Sequence, residues 1–201
     1  MQQQQLTLRI QIILYVLAAL AICILMIDQY RQGLYSLVLS SAIGVPAFLF
    51  SAVFIYINRD HTPSTWVHHV LIILLAILAL YQLPNYPTLM THYLYALPLF
   101  SFFCLPILNA TIINLVVVLV TTIMMWSNLG WQEGLRSGIN YSLFLGSAWC
   151  YAYLTQIKRS SLRRLALTDQ ISGAYNKRHF YHTLDREISR SENSNDPISL
   201  I

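Results

Sequence analysis

The chain has 201 residues, of which 56% are hydrophobic and only 10% are charged. Soluble domains usually carry about 25% charged residues. Between His61 and Gln132 this chain has no Asp, Glu, Lys or Arg at all. Such a segment cannot form a water-exposed surface, whereas the hydrocarbon core of a bilayer accepts it. The composition excludes an ordinary soluble protein and predicts a membrane protein whose first partner is the lipid bilayer.

The charged residues are concentrated near the end of the sequence, although the net charge is only +4. Eight of the 12 Lys and Arg residues and five of the 8 Asp and Glu residues follow Ile157. The last part of the chain therefore has the composition of a soluble protein. We predict a transmembrane sensory module over residues 1–157, a helical stalk over 158–168, and the N-terminal part of a second domain over 169–201.

Apolar segments of the length that crosses a bilayer, about 20 residues, occur six times. They predict an all-α polytopic membrane fold with six transmembrane helices. The six segments are Leu8–Ile27, Leu34–Ile57, Trp66–Leu83, Met90–Leu108, Thr111–Trp126 and Ile139–Ile157. Only the turn Leu108-Asn109-Ala110 separates the fourth segment from the fifth.

The distribution of basic residues predicts the orientation, because loops rich in Lys and Arg stay in the cytoplasm. Arg9, Arg59 and the four basic residues at positions 158–164 fall on the side of the two termini. Only Arg31 and Arg136 fall on the other side. We therefore predict that both termini are cytoplasmic.

Side chains that could bind a metal ion lie far apart in the predicted topology. His68 and His69 begin the third span, and His92 begins the fourth span on the opposite side. The separation is on the order of 20 Å for helices with a rise of about 1.5 Å per residue. Bonds from a metal to nitrogen are about 2 Å long. We therefore predict that these histidines bind no metal ion. A coupled transporter is also disfavoured, because no Asp, Glu, Lys or Arg lies in the middle of a predicted span.

The other polar and sulfur-containing residues within the spans are expected to serve packing. Cys23, Cys104 and Cys150 all lie in apolar segments, which does not suggest disulfide bonds. The polar residues of the spans are expected to form hydrogen bonds between helices. They are Ser40, Ser41, Ser51, Asn114, Thr121, Thr122, Asn140, Ser142 and Ser147. A ligand pocket cannot be located from this pattern.

After the stalk, the sequence predicts a turn and then a helix. Asp169 and Gly173 are residues that favour turns, and Asn176 is a good N-cap. Apolar residues then recur every four positions, at Phe180, Leu184 and Ile188, which predicts a helix with one apolar face.

A polar loop follows this helix and leads to residues Ile198–Ile201, which predict the beginning of a β-strand. The basic residues at 158–164 lack the interleaved aromatic residues typical of nucleic-acid binding. We therefore interpret them as topology and lipid-headgroup charges, and predict no nucleic-acid partner.

The tail resembles the start of the diguanylate cyclase (GGDEF) domain family over roughly residues 162–201. Members of this family open with a pattern like Leu-Ala-x-x-Asp-x-Leu-Thr-Gly-Leu-x-Asn-Arg-Arg-x-Phe. The matching residues are Leu165, Ala166, Asp169, Gly173, Asn176, Arg178 and Phe180. Conservative departures occur at Ile171, Ser172, Ala174 and Lys177. The resemblance implies the first helix and strand elements of an α/β cyclase domain.

The resemblance also implies a function, namely the membrane sensor and anchor of a diguanylate cyclase in a bacterial inner membrane. The family joins two GTP molecules into cyclic di-GMP on Mg²⁺, between two domains that face each other. It therefore implies a homodimer through the stalk and cyclase domain, with Mg²⁺ and GTP as cofactors of the complete domain. The metal-binding Asp and the Gly-Gly-Asp/Glu-Glu-Phe turn of the family would follow Ile201. No catalytic, cofactor-binding or metal-binding residue can thus be carried onto this chain, which alone should be inactive.

Three alternatives remain open at this point. The parent protein could carry a degenerate cyclase domain that only binds nucleotide, with or without a phosphodiesterase domain after it. The chain could be a transporter-like or lipid-interacting protein that resembles the family by chance. It could also be a six-span membrane protein without an enzymatic role. None of these readings identifies the ligand that is sensed.

Overall fold

The computed structural model describes residues 2–58 and 65–167, together with positions 180, 181, 184, 186, 188, 190 and 191. Six helices occur in this part of the chain. They are α1 (Gln2–Arg31), α2 (Tyr35–Ile57), α3 (Trp66–Gln82), α4 (Pro87–Cys104), α5 (Ile107–Leu129) and α6 (Trp131–Leu167).

The chain divides into two compact units, Met1–Ala152 and Tyr153–Ile201. In the first unit α1 packs on α2, α2 on α3, α3 on α4 and α5, and α4 on α5. In the second unit α6 ends at Leu167, and the described positions between 180 and 191 are helical.

Short connections with specific backbone requirements separate the helices of the first unit. Gly33, with φ 74°, follows α1, and Gly130, with φ 95°, ends α5. Glycine tolerates these positive φ values because it has no Cβ atom. Between α4 and α5, Leu105 is extended at φ −112° and ψ 158°, as is usual for a residue that precedes proline. The following residue, Pro106, caps α5.

The interior of the first unit is apolar and so is much of its exterior. Tyr15, Ile72, Ala110 and Tyr141 are completely buried. Large apolar side chains cover the outside as well, and each of Ile24, Leu39, Leu99 and Leu143 is more than 60% exposed. Such an extensive apolar exterior is unusual for a soluble monomer and is what a helix in contact with lipid presents.

Within the described residues, three helical segments are long and apolar enough to cross a membrane. These segments are Leu8–Arg31, Tyr35–Ile57 and Ile107–Leu129. The helix Trp66–Gln82 is also apolar but has only 17 residues. At a rise of about 1.5 Å per residue it is about 26 Å long, shorter than the hydrocarbon core of about 30 Å.

The fold class predicted from the sequence is wrong in two respects. The described residues form helices only, with no strand and no other element of an α/β cyclase domain. The strand predicted at 198–201 lies outside the described residues. In addition, three helices rather than six are long and apolar enough to span a membrane.

Polar and charged residues explain why α4 and α6 do not qualify as spans. The 18 residues of α4 include Thr88, Thr91 and His92, which lower its hydropathy. The 37 residues of α6 include Glu133 near the start and several basic residues near the end. Between these charged residues, serine, glycine, asparagine and tyrosine are interspersed with apolar residues. Such residues are unfavourable at the centre of a bilayer.

The predicted boundaries also move at two places. The break between the fourth and fifth helices lies at Leu105-Pro106, not at the predicted turn Leu108-Asn109-Ala110, because proline cannot donate the backbone bond that would continue α4. The sixth helix begins at Trp131 rather than Ile139, directly after Gly130.

Two glycines spaced four residues apart allow α6 to lie against α5. A Cβ atom on Gly134 would lie 2.8 Å from Trp126 Cβ and 3.0 Å from Trp126 Cα. A Cβ atom on Gly138 would lie 2.7 Å from Thr122 Oγ1. Small residues at this spacing let membrane helices approach closely.

We predict that Gly134→Ala destabilises the protein, because the backbone of Trp126 must move to admit the methyl group. Overpacking of this kind costs about 1–3 kcal/mol. The matched control is Gly146→Ala in the same helix, where a Cβ atom meets nothing within 4 Å. Alanine is better than glycine in a helix by about 1 kcal/mol, so this control should be as stable as wild type or more so. Apparent melting temperatures in one detergent measure both; a Gly134→Ala variant as stable as wild type contradicts the close approach.

Candidate ligand-binding cavity

A cavity of about 300 Å³ lies between helices α1, α2, α3 and α4. Ligand sites in proteins have volumes of about 300–1,000 Å³, so this cavity suits a small ligand. Its lining residues are Ala18, Ile22, Leu25, Gln29, Leu37, Ser40, Ser41, Gly44, Phe48, Leu75, Leu78, Ala79, Gln82, Met90, Tyr93, Leu94, Ala96, Leu97 and Phe100. None of them is charged.

The polar lining residues meet where α1 and α3 end and α2 begins. The Gln82 side chain donates from Nε2 to the Ser36 carbonyl at 2.9 Å and to Ser40 Oγ at 2.7 Å. Next to it, Ser41 Oγ donates to Gln29 Oε1 at 2.9 Å. These bonds join α1, α2 and α3 around one end of the cavity.

The Gln82 side-chain oxygen is a buried acceptor that has no hydrogen-bond partner within the described part of the chain. Gln82 is only 2% exposed. An unpaired buried polar atom costs about 1–3 kcal/mol. This oxygen has less than 1 Å² of accessible surface, so the surrounding side chains enclose it and a molecule in the cavity does not reach it.

Aromatic rings form another part of the cavity wall. Phe48 and Phe100 line it, with their ring centroids 5.7 Å apart in an edge-to-face arrangement. Both rings also pack against Tyr15, at centroid distances of 6.0 and 5.7 Å. Aromatic pairs at such distances and angles are favourable beyond the area they bury. The three rings therefore pack against one another and connect α1, α2 and α4 beside the cavity.

Behind this wall, the Tyr15 hydroxyl connects three helices. It lies 2.5 Å from His68 Nδ1 on α3 and 3.4 Å from Cys104 Sγ on α4. The Tyr15 hydroxyl donates to the thiol sulfur. Because a hydroxyl has only one hydrogen, His68 Nδ1 then carries the proton of the imidazole and donates to the Tyr15 oxygen. These two bonds hold α1 against α3 and α4.

A second buried polar cluster joins α4, α5 and α6. Asn114 Nδ2 donates to Ser101 Oγ at 2.6 Å and to the Ala110 carbonyl at 2.7 Å. Its Oδ1 accepts from the Tyr141 hydroxyl at 2.8 Å. Asn114, Ser101 and Tyr141 are completely buried. This network is satisfied, and it ties the first part of α6 to the helix that carries Phe100.

The histidines predicted to have no metal ligand role form ordinary hydrogen bonds. His69 Nδ1 lies 2.8 Å from the Thr65 carbonyl, and its Nε2 lies 2.8 Å from Asn109 Nδ2. A carbonyl can only accept, so Nδ1 carries the proton and Nε2 accepts from the amide. His92 Nδ1 contacts the Thr88 carbonyl. Within the described residues no three His, Cys, Asp or Glu side chains are grouped to hold a metal ion.

Most of the family-motif residues of the tail are not among the described residues. Asp169, Gly173, Asn176 and Arg178 lie outside the described residues. Phe180 is helical and 46% exposed. The motif therefore stays a prediction from the sequence, as does the division into domains.

Hydrogen bonding between helices was predicted for nine polar residues. The structure confirms this prediction for some of them and contradicts it for others. The prediction is confirmed for Ser40, Ser41 and Asn114. It is wrong for Ser51, Thr122 and Ser147, each of which donates to the carbonyl four residues earlier in its own helix. It is also wrong for Thr121, whose buried hydroxyl has no partner among the described residues. Serine and threonine often form this local bond, which sequence alone does not distinguish from a bond between helices.

Sequence reasoning missed the residues that define the cavity. Gln29 and Gln82 each lie at the end of an apolar helix next to a tyrosine, a position typical of the headgroup layer. Their burial depends on α1, α2 and α3 meeting at this end. The contact between Tyr15 and His68 was also missed, because 53 positions separate the two residues in the sequence.

Comparisons with known proteins add no relative: no family model, curated protein or solved structure matches the chain.

We predict that Asn114→Ala destabilises the bundle by about 1–3 kcal/mol, because it leaves buried Ser101 and Tyr141 groups without their partner. Asn128→Ala is the matched control, since Asn128 is exposed and donates to the Met124 carbonyl of the same helix. Its effect should stay within about 0.5 kcal/mol. Unfolding by a denaturing detergent, followed by circular dichroism, measures both variants. Equal effects of the two substitutions contradict the role of the buried network.

Proposed function

We propose that this chain is the membrane sensor and anchor of a bacterial signalling protein of the diguanylate cyclase family, located in the inner membrane. The observation that carries the proposal is the motif from Leu165 to Phe180. The motif begins inside α6, which also belongs to the bundle through Tyr141. A direct fusion of a membrane helix to such a motif suits a protein that passes a membrane signal to a cytoplasmic domain.

The basic residues support a cytoplasmic position for both ends. Lys158 and Arg159 are exposed near the end of α6, and Arg9 lies near the start of α1. Basic residues at the ends of membrane helices favour the cytoplasmic side and anionic lipid headgroups. This orientation places the tail where GTP and Mg²⁺ are available to a cyclase domain.

The cavity supports a sensory role in addition to anchoring. An anchor needs only apolar helices, and polar groups buried in it must be paired at a cost. Here a cavity of about 300 Å³ with an uncharged lining lies within the bundle. A ligand that fills this space would change the packing of four helices.

A continuous series of contacts leads from the cavity to α6. Phe100 lines the cavity, and the next residue, Ser101, accepts a bond from Asn114. Asn114 in turn accepts a bond from Tyr141 of α6. In the proposed mechanism, a change in the position of α4 shifts α6 through this network and alters the spacing of two cyclase domains in a homodimer.

The first test uses the full-length product of the gene, purified in detergent and incubated with GTP and Mg²⁺. The proposal predicts synthesis of cyclic di-GMP, detected by mass spectrometry, and a coding sequence that continues after Ile201 into the Gly-Gly-Asp/Glu-Glu-Phe turn. A coding sequence with that turn replaced, and binding of nucleotide without synthesis, would indicate a degenerate domain. A coding sequence without any such domain would refute the proposal.

The second test addresses coupling through α6 with two insertions of seven residues after Arg159 in the full-length protein. A helical insertion of alanine, glutamate and lysine adds about two turns and nearly preserves the rotational phase of the helix. A glycine-serine insertion of the same length removes the rigid connection. We predict that only the glycine-serine insertion changes the rate of cyclic di-GMP synthesis severalfold. Equal rates for both insertions would contradict a helical connection.

A further inference from the structure

We propose that the cavity between α1, α2, α3 and α4 binds a small, neutral and largely apolar molecule that enters from the hydrocarbon layer of the bilayer. The inference deepens the proposed function and rests on its sensory part, because it names the chemical class of the ligand that the module detects. The binding itself requires only residues of the first unit.

The charge of the lining favours a neutral ligand. Among the described residues that line the cavity there is no Asp, Glu, Lys or Arg. Asp28 and Arg31 lie close by in the sequence, but both are exposed and neither lines the cavity. The Asp28 carboxylate accepts a bond from Gln32 Nε2 at 2.6 Å. A charged ligand would lose its hydration in this cavity without gaining a counter-charge.

The polar side chains of the lining already bond to one another and to the backbone. Ser40 Oγ accepts from Gln82 Nε2 at 2.7 Å and donates to the Ser36 carbonyl at 3.2 Å. Ser41 Oγ donates to Gln29 Oε1 at 2.9 Å. Each serine hydroxyl has one hydrogen, so the hydrogens of Ser40 and Ser41 are both engaged. A strongly polar ligand would therefore lose more hydrogen bonds to water than it gains here, and a largely apolar ligand is favoured.

Apolar side chains from all four helices form most of the lining. Ile22 on α1, Phe48 on α2, Leu75 on α3 and Leu97 on α4 are examples. A buried water molecule needs about two to four polar partners, and cavities with apolar linings stay dry and accept apolar molecules. The volume of about 300 Å³ admits a small ring system or a short chain, but not a complete diacyl lipid.

The position of the opening indicates how the ligand enters. The cavity is open in part to the outside of the bundle. Leu25 on α1 and Ala96 on α4 line it and are exposed. Leu25 belongs to the membrane-spanning segment Leu8–Arg31, and Ala96 lies near the middle of α4. A molecule dissolved in the hydrocarbon layer therefore reaches the cavity without passing through water.

The first test compares naphthalene with 2-naphthoate, which has the same ring system and a negative charge. Binding to the full chain in nanodiscs is measured by equilibrium dialysis. Empty nanodiscs of the same lipid correct for partition, and affinities refer to the probe concentration in the lipid. We expect saturable binding of naphthalene at one site, at least about tenfold tighter than binding of 2-naphthoate, because the lining offers no counter-charge.

Two variants locate the site in the cavity. Gly44 lines the cavity, and a Cβ atom there meets only Ile22 Cδ1, at 3.9 Å. Gly44→Leu therefore fills the space and should weaken naphthalene binding about tenfold or more. Gly146→Leu is the matched control, since a Cβ atom on Gly146 meets nothing within 4 Å and this residue does not line the cavity. It should bind naphthalene as wild type does. Elution profiles check that both variants are folded.

A measurement on wild type alone keeps the proposal testable if Gly44→Leu does not fold. The small neutral photoprobe 3-trifluoromethyl-3-phenyldiazirine labels residues in contact with it, and mass spectrometry of peptides maps the labels. Excess naphthalene should reduce labelling at Leu25 and Ala96 severalfold. Labelling at Ile123 on α5, which is 56% exposed and does not line the cavity, should not change.

Equal affinity of the two probes for wild type, undiminished naphthalene binding to folded Gly44→Leu, or equal competition at Ile123 and at the lining residues would each overturn the proposal. Absence of saturable naphthalene binding to wild type, the result expected if lipid acyl chains fill the cavity, would overturn it too. None of these measurements uses GTP. Failure of the proposed function therefore appears as lost cyclic di-GMP synthesis with normal naphthalene binding, and failure of this inference as the reverse.

Discussion

The structure of this chain depends on one constraint, which is that polar groups inside an apolar helical bundle must find partners within the protein. Water is not available to them in a bilayer. Two clusters meet the constraint. Tyr15 connects α1 to α3 and α4 through His68 and Cys104, and Asn114 connects α4, α5 and α6. These clusters hold together helices whose exteriors are nearly as apolar as their interiors, so that hydrophobic contact alone would specify their arrangement poorly.

Within the described residues, two buried side-chain oxygens are exceptions to this constraint, Gln82 Oε1 and Thr121 Oγ1. Gln82 lies next to the cavity, and its nitrogen is paired although its oxygen is not. Protein structures contain few such atoms. The adjoining cavity, lined by uncharged residues, has space for a small molecule. The aromatic wall of Phe48, Phe100 and Tyr15 and the adjoining Asn114 network are the parts of the fold that a bound ligand would shift first.

Sequence reasoning reached the membrane character of the chain and some of its contacts, but not its cavity or its fold class. The long stretch without charge predicted apolar helices correctly, and three of them have the length and composition of membrane spans. Thr91 and His92 in α4 show why the predicted number of spans was too high, since segments were counted as spans because they lack charge, although uncharged polar residues lower their hydropathy. Asn114 was recognisable as a polar residue amid apolar ones. Gln29 and Gln82 were not, because their burial arises only when α1, α2 and α3 pack at one end.

The central claim is that a small neutral molecule occupies the cavity of the sensory bundle. Native mass spectrometry of the full chain, purified with its natural membrane lipids, tests this claim most directly. We expect one bound species of low mass, retained by wild type and lost from Gly44→Leu, in which a side chain placed beside Ile22 fills the cavity. Spectra without such a species, or with the same species on both proteins, would contradict the account and leave the bundle with an anchoring role alone.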